Sequence, residues 1–164
     1  MAALTRVWKE GAVVGLIGAA SVAAWFFVVD LISGEPLYTP GVLGEALLNL
    51  IGDRSAHSTM FNAAVYTPFH VLAFVVVGMM VSRIVEAAKR VPSVTVGLLL
   101  LFVVFETAFY FMATYLSHFD VLGRLAWYQI GAANLLASVT MGTYLWRKHP
   151  ELKREFRMAL DERV

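Results

Sequence analysis

Cysteine is missing and charge is scarce. None of the 164 residues carries a thiol, and Asp, Glu, Lys and Arg together make up 15% of the chain, against about 25% in an ordinary soluble domain. The first absence excludes disulfides, thiolate-held zinc, iron–sulfur clusters and thiol redox chemistry. The second, with a formal net charge of +1, leaves no electrostatic footprint for nucleic acid. No phosphate-cradling glycine loop, dinucleotide fingerprint, H-E-x-x-H or G-x-S-x-G is present either. Without a nucleophile and base at recognisable spacing, the chain leans away from being an enzyme.

What fills the sequence is apolar. Hydrophobic residues account for 59% and the mean hydropathy is +0.70. Four apolar runs, at about 11–32, 60–81, 94–117 and 125–146, approach the ~20 residues that cross a ~30 Å hydrocarbon core as a helix. They lack the alternation of a barrel strand, so helices are the way to close every backbone hydrogen bond inside lipid. The expected fold is all-α, a single transmembrane four-helix bundle over 1–164. Arg6 and Lys9 precede the first run as in a signal peptide, but the run is longer than the usual apolar core of such peptides and reads as a retained span.

Lysine and arginine give the orientation. Arg6, Lys9, Arg83, Lys89, Arg90, Arg147, Lys148, Lys153, Arg154, Arg157 and Arg163 fall on one side of the predicted bundle, and Arg54 and Arg124 on the other. The basic side is cytoplasmic by the positive-inside rule. The expected location is therefore a plasma (inner) membrane, multi-pass, with both termini in the cytoplasm.

Two segments outside the spans carry helical patterns. After Thr39 as cap and Pro40 at the first helical position, the segment 40–52 places Leu43, Leu47, Leu50 and Ile51 on one side, as an amphipathic helix on the outer surface does. The segment 150–162 alternates charges around Leu152, Phe156, Ala159 and Leu160, which predicts an amphipathic cytoplasmic helix. Small residues recur along the first span (Gly11, Gly15, Ala19, Ala23) and the fourth (Gly131, Ala132, Ala133, Ala137, Ser138, Gly142), and such stripes let helices approach closely.

Polar residues inside spans mark where chemistry would sit. His70, Glu106 and Asn134 each lie about 15 Å from the outer end of their predicted span, at 1.5 Å of rise per residue. Asn62 and Tyr66 share the face of His70, and Tyr110 that of Glu106. Beyond these, VLAFVVVGMMV and TVGLLLLFVVF make the inner half oily. The pattern predicts a polar interior open to the outside and closed toward the cytoplasm, serving as a register-fixing network, a ligand site or a proton relay. No cofactor is the leading expectation. Bis-histidine haem needs two histidines at one depth, which the sequence does not provide, while a single-His haem, a pigment or a quinone at His70 stays open. At the outer face His57, His118 and Asp120 are weak candidates for a metal.

The runs GLIGAASVAAWFFVVDLISGEPLYTPGVLGEAL and WYQIGAANLLASVTMGTYLWRKHPEL resemble a family of small bacterial four-span inner-membrane proteins with no assigned function. The resemblance implies a bacterial inner-membrane setting and assigns no residue a role. The partners expected are the lipid bilayer and a membrane protein or second copy of the chain. The leading function is an accessory or interaction subunit of a larger membrane assembly. The alternatives are a ligand- or cofactor-binding protein using the pocket at His70, Glu106 and Asn134, and proton-coupled transport.

Overall fold

The structure, a computed structural model, describes residues 2–88 and 127–150, with side chains over 7–86 and 128–150. Regular structure among the described residues is all α-helical: α1 (Ala2–Ile32), α2 (Tyr38–Leu50), α3 (Thr59–Ala88) and α4 (Trp127–Lys148). The segments predicted at about 11–32, 40–52, 60–81 and 125–146 each fall on one of these helices. The predicted span at 94–117 lies outside the described residues, as does the predicted C-terminal helix beyond Pro150.

Among the described residues two helices are long and apolar enough to cross a membrane: Val7–Ile32 within α1 and Thr59–Glu86 within α3, with mean hydropathies of 2.3 and 1.9. Helix α4 forms where the fourth span is predicted but is less apolar, because Gln129, Asn134, Ser138, Thr140 and Thr143 interrupt it.

The α1–α3 contact is made backbone against backbone. A Cβ on Gly11 would sit 2.5 Å from Met79 Cα, and one on Gly15 2.5 Å from Val75 Cα. One on Gly78 would overlap the Gly11 carbonyl oxygen and the Gly15 nitrogen. These helices close to this distance because Gly11, Gly15 and Gly78 put no side chain between the backbones. Gly11, Gly15 and Ala19 of the predicted stripe thus face α3, whereas Ala23 is exposed.

Helix α4 packs on another side of α1. Met141 Sδ occupies the space beside Gly18, and the Ser21 and Thr140 hydroxyls hydrogen-bond at 2.9 Å. Val14, Val22 and Phe26 of α1, Val85 of α3, and Ile130, Ala133, Ala137, Met141 and Leu145 of α4 form the core. The α4 set recurs every three or four residues, as one helix face must. Gly11 lies against Met79 and Glu10 against His149, while Ala19 meets His70 and Ser21 meets Thr140. Helix α1 therefore runs antiparallel to both α3 and α4, which run parallel to each other.

Helix α1 ends in a Schellman turn: Gly34, at φ +76°, donates to Leu31 O, and Glu35 N donates to Asp30 O. Gly52, at φ +90°, ends α2 the same way through Asn49 O and Leu48 O. Both positions need the left-handed conformation that glycine adopts without a Cβ clash. At its start α2 departs from the predicted cap. The capping position is Leu37, left-handed at φ 72° and without a side-chain bond, and Thr39 lies inside the first turn. Its outward side also differs. Gly41, Gly44 and Leu48 are buried, with Gly44 against the Asn62 backbone, whereas Leu50 and Ile51 of the predicted apolar side are exposed. The small residues face inward because α3 passes too close for leucine.

Candidate functional site

His70 is held across the α1–α3 contact. Its Nε2 lies 3.1 Å from the carbonyl oxygen of Ala19, and its Nδ1 3.3 Å from the hydroxyl of Tyr66, one turn earlier. A carbonyl accepts only, so Nε2 carries the proton and Nδ1 accepts from Tyr66. The imidazole also packs against the rings of Tyr66 and Phe74, at centroid distances of 5.5 and 4.8 Å. Both ring nitrogens are therefore used within the chain, at the point where the small Ala19 lets a side chain reach the α1 backbone. Pro68 lies inside α3 two residues before His70, and Thr67 donates its hydroxyl to Ala63 O at 2.7 Å just before it.

The other predicted site residues are placed differently. Ser21 meets Thr140 and Ala19 meets His70, so His70 lies level with Thr140 and Met141 on α4. Asn134 is one to two turns nearer the loop end, about 9 Å at the helical rise, and half-buried. Its carbonyl oxygen accepts from Ser138 Oγ at 2.8 Å. Depth counted from predicted span ends places His70 and Asn134 at one level, whereas the contacts to α1 offset them. Asn62 is buried and its Oδ1 has no partner. The indole Nε1 of Trp25 is likewise buried without one. Glu106 and Tyr110 lie outside the described residues, as do His118 and Asp120.

At the loop end, sequence reasoning missed how α1 and α2 are joined. Asp30, buried near the end of α1, accepts from Thr39 N at 2.8 Å and from Thr39 Oγ1 at 2.7 Å. An N-cap side chain ordinarily receives an amide of the first turn. Here a carboxylate from the preceding helix takes that place, also favoured by the positive end of the α2 dipole. Beside it a small cleft is lined by Ser33, Glu35, Tyr38 and Gln129. The signal was an ionisable residue nine positions before a Thr-Pro helix start.

His57 joins Asp53 at 3.0 Å and stacks on Phe61 at 4.6 Å between centroids. Asp53 also accepts from Ser55 N at 2.9 Å. The Ser55 backbone and hydroxyl, then His57, lower the Asp53 carboxyl from 3.8 to about 2. Among the described residues no three His, Cys, Asp or Glu side chains converge as a metal site.

The opposite end carries a pair that no motif announced. Glu10 Oε1 lies 2.5 Å from His149 Nε2, with both side chains 7% exposed. Ser82 is buried there as well, without a partner. The half of the bundle predicted to be oily thus has polar groups buried at its rim. Glu10 reads in sequence as an ordinary charge before the span, and His149 as the residue before a helix-breaking Pro150.

Among the described residues the fold is all-helical, with two helices long and apolar enough to cross a membrane and polar contacts that tie α1 to each of its neighbours. No protein-family model, curated protein or solved structure matches the chain.

Proposed function

We propose that the chain is a four-span inner-membrane protein with both ends in the cytoplasm, working as a non-enzymatic accessory or interaction subunit of a larger membrane assembly. The observation that carries the membrane part is the direction of the helices. Helices α3 and α4 run parallel, and the sequence between them holds an apolar run at 94–117 of the length a span needs. Lys9, Arg83, Arg147 and Lys148 gather at the end where α3 finishes, which the positive-inside rule makes cytoplasmic.

The subunit reading rests on the outward side of α4. Leu135, Val139 and Trp146 are exposed there at helical spacing. Gly142 lies between them with nothing within 4 Å of where its Cβ would be. A glycine with open space on an apolar helix face suits a neighbouring membrane helix. Extraction in a mild detergent followed by native electrophoresis is the test. A stoichiometric partner or second copy, lost in Gly142→Leu, is expected. A monomer with full phenotype alone in the membrane contradicts the proposal.

A second reading, a ligand site in the outer half, draws on the unpartnered Asn62 Oδ1 and Trp25 Nε1. Buried polar atoms without partners are rare and often meet an unseen group. An absorption spectrum and mass spectrum of the purified protein decide it: a retained quinone, pigment or haem supports a site reaching His70, and protein mass alone sinks it. Proton-coupled transport through His70 and Glu106 ranks third.

A further inference from the structure

Arg83, near the end of α3, lies over the ring of Trp8 on α1, with its guanidinium carbon 4.6 Å from the ring centroid. Lys9, the next residue, is exposed. Neither cation has a carboxylate within ion-pair distance among the described residues, while Lys148 at the same end donates to the Tyr144 hydroxyl at 2.9 Å. Lys9 and Arg83 thus stand exposed at this end beside Arg147 and Lys148, with Arg83 fixed in place by stacking and neither Lys9 nor Arg83 ion-paired among the described residues.

A furrow leads away from this point along the bundle. On α3, Val76 and Leu72 fall seven and eleven residues before Arg83, on its side of the helix, and both are exposed. On α1, Ala12 and Leu16 follow Trp8 at four and eight residues, and Leu16 is exposed. The glycine contacts hold the two backbones together beneath these side chains, and Ala12 is half-buried. A cationic, aromatic-flanked end continuing into an apolar furrow has the shape and polarity of one phospholipid. Its phosphate would meet Arg83, with Lys9 adding positive charge at the same end, and an acyl chain would lie between α1 and α3. Arginine is well suited to phosphate because its planar fork offers two parallel donors.

We propose that the Trp8–Arg83 end of the α1–α3 furrow binds an anionic phospholipid of the cytoplasmic leaflet. This rests on the membrane reading above, which is checked separately by whether alkaline carbonate leaves the protein in the membrane pellet.

The test is native mass spectrometry of the detergent-purified full chain, titrated with phosphatidylglycerol or with phosphatidylcholine of the same acyl chains. Wild type should retain phosphatidylglycerol preferentially. Each basic side chain near an anionic surface contributes about five-fold, so Arg83→Gln should cut the preference about five-fold and a Lys9→Gln, Arg83→Gln double variant by well over ten-fold. Arg54→Gln, at the other end, should leave it unchanged. All three side chains are exposed, so the single variants carry the test if the double variant fails to purify. Equal retention of the two lipids, or a preference that survives Arg83→Gln, overturns the proposal. Competition by millimolar inorganic phosphate also overturns it, since the site would then take free phosphate without the lipid's chains.

Discussion

Glu10 and His149, 139 positions apart, meet side chain to side chain at 2.5 Å in a buried contact that ties the start of α1 to the end of α4. Their burial makes the pair consequential, because removing one member strands the other away from water. Glu10→Ala or His149→Ala should each cost about 3 kcal/mol. The double variant should cost less than the sum of the singles, since residues in one contact do not act independently. Denaturant titration in detergent, followed by tryptophan fluorescence, measures this, and strictly additive losses would count against a direct pair.

The glycine crossing predicts a sharp contrast between two chemically identical substitutions. Gly78→Ala places a methyl group on the α1 backbone and should destabilise by about 1–3 kcal/mol, as overpacking does. Gly142→Ala meets nothing within 4 Å and should be neutral or stabilise by up to about 1 kcal/mol in the isolated monomer, through helix propensity alone. Thermal unfolding of the two variants side by side checks both signs.

The Asp30–Thr39 bonds predict how α2 is held. Thr39→Val loses one of the two and should cost about 1 kcal/mol. Asp30→Ala loses both and should cost about 2 kcal/mol, the upper range for a cap. Hydrogen exchange is the specific readout. Amides at the start of α2 should exchange faster in Asp30→Ala, with α1–α3 protection largely kept. Unchanged protection at Thr39 would show that the carboxylate does not cap the helix.

Asp53 gives the pH dependence. Its carboxyl is lowered from 3.8 to about 2 by Ser55 and His57. A depressed folded-state value means that the contacts contribute fully above 3.8 and fade as the pH falls through about 2. Carboxyl NMR should therefore show Asp53 titrating near 2, with the Ser55 amide shift following it. Asp53→Asn should remove that transition, and a midpoint near 3.8 in wild type would mean that the turn is not formed in solution.

Much of the helical layout was legible because apolar run length and small-residue spacing are local properties. Gly11 and Gly15 announce a close neighbour at four-residue spacing, although only the fold shows that the neighbour is Gly78. The candidate site was less legible. His70 stands out as an ionisable residue in an apolar helix, but its partner is a backbone carbonyl on α1, and every residue has one. The level of Asn134 is not legible in the sequence, because depth counted from span ends ignores how far one helix slides along another. Glu10 and His149 were invisible because their chemistry depends on a contact between the two extremes of the chain. Thr39 looked like a cap by pattern, and the cap is instead supplied from outside its helix by Asp30, which a local pattern does not contain.

The absence of cysteine makes the central claim, four spans with both ends inside, directly measurable. Single cysteines introduced by Ala56→Cys in the first loop, Lys89→Cys after α3 and Lys153→Cys after α4 can be treated with a membrane-impermeant maleimide. The account predicts that Ala56→Cys reacts in intact cells, while the other two react only after the membrane is opened. Labelling of Lys153→Cys in intact cells, or protection of Ala56→Cys there, would contradict it.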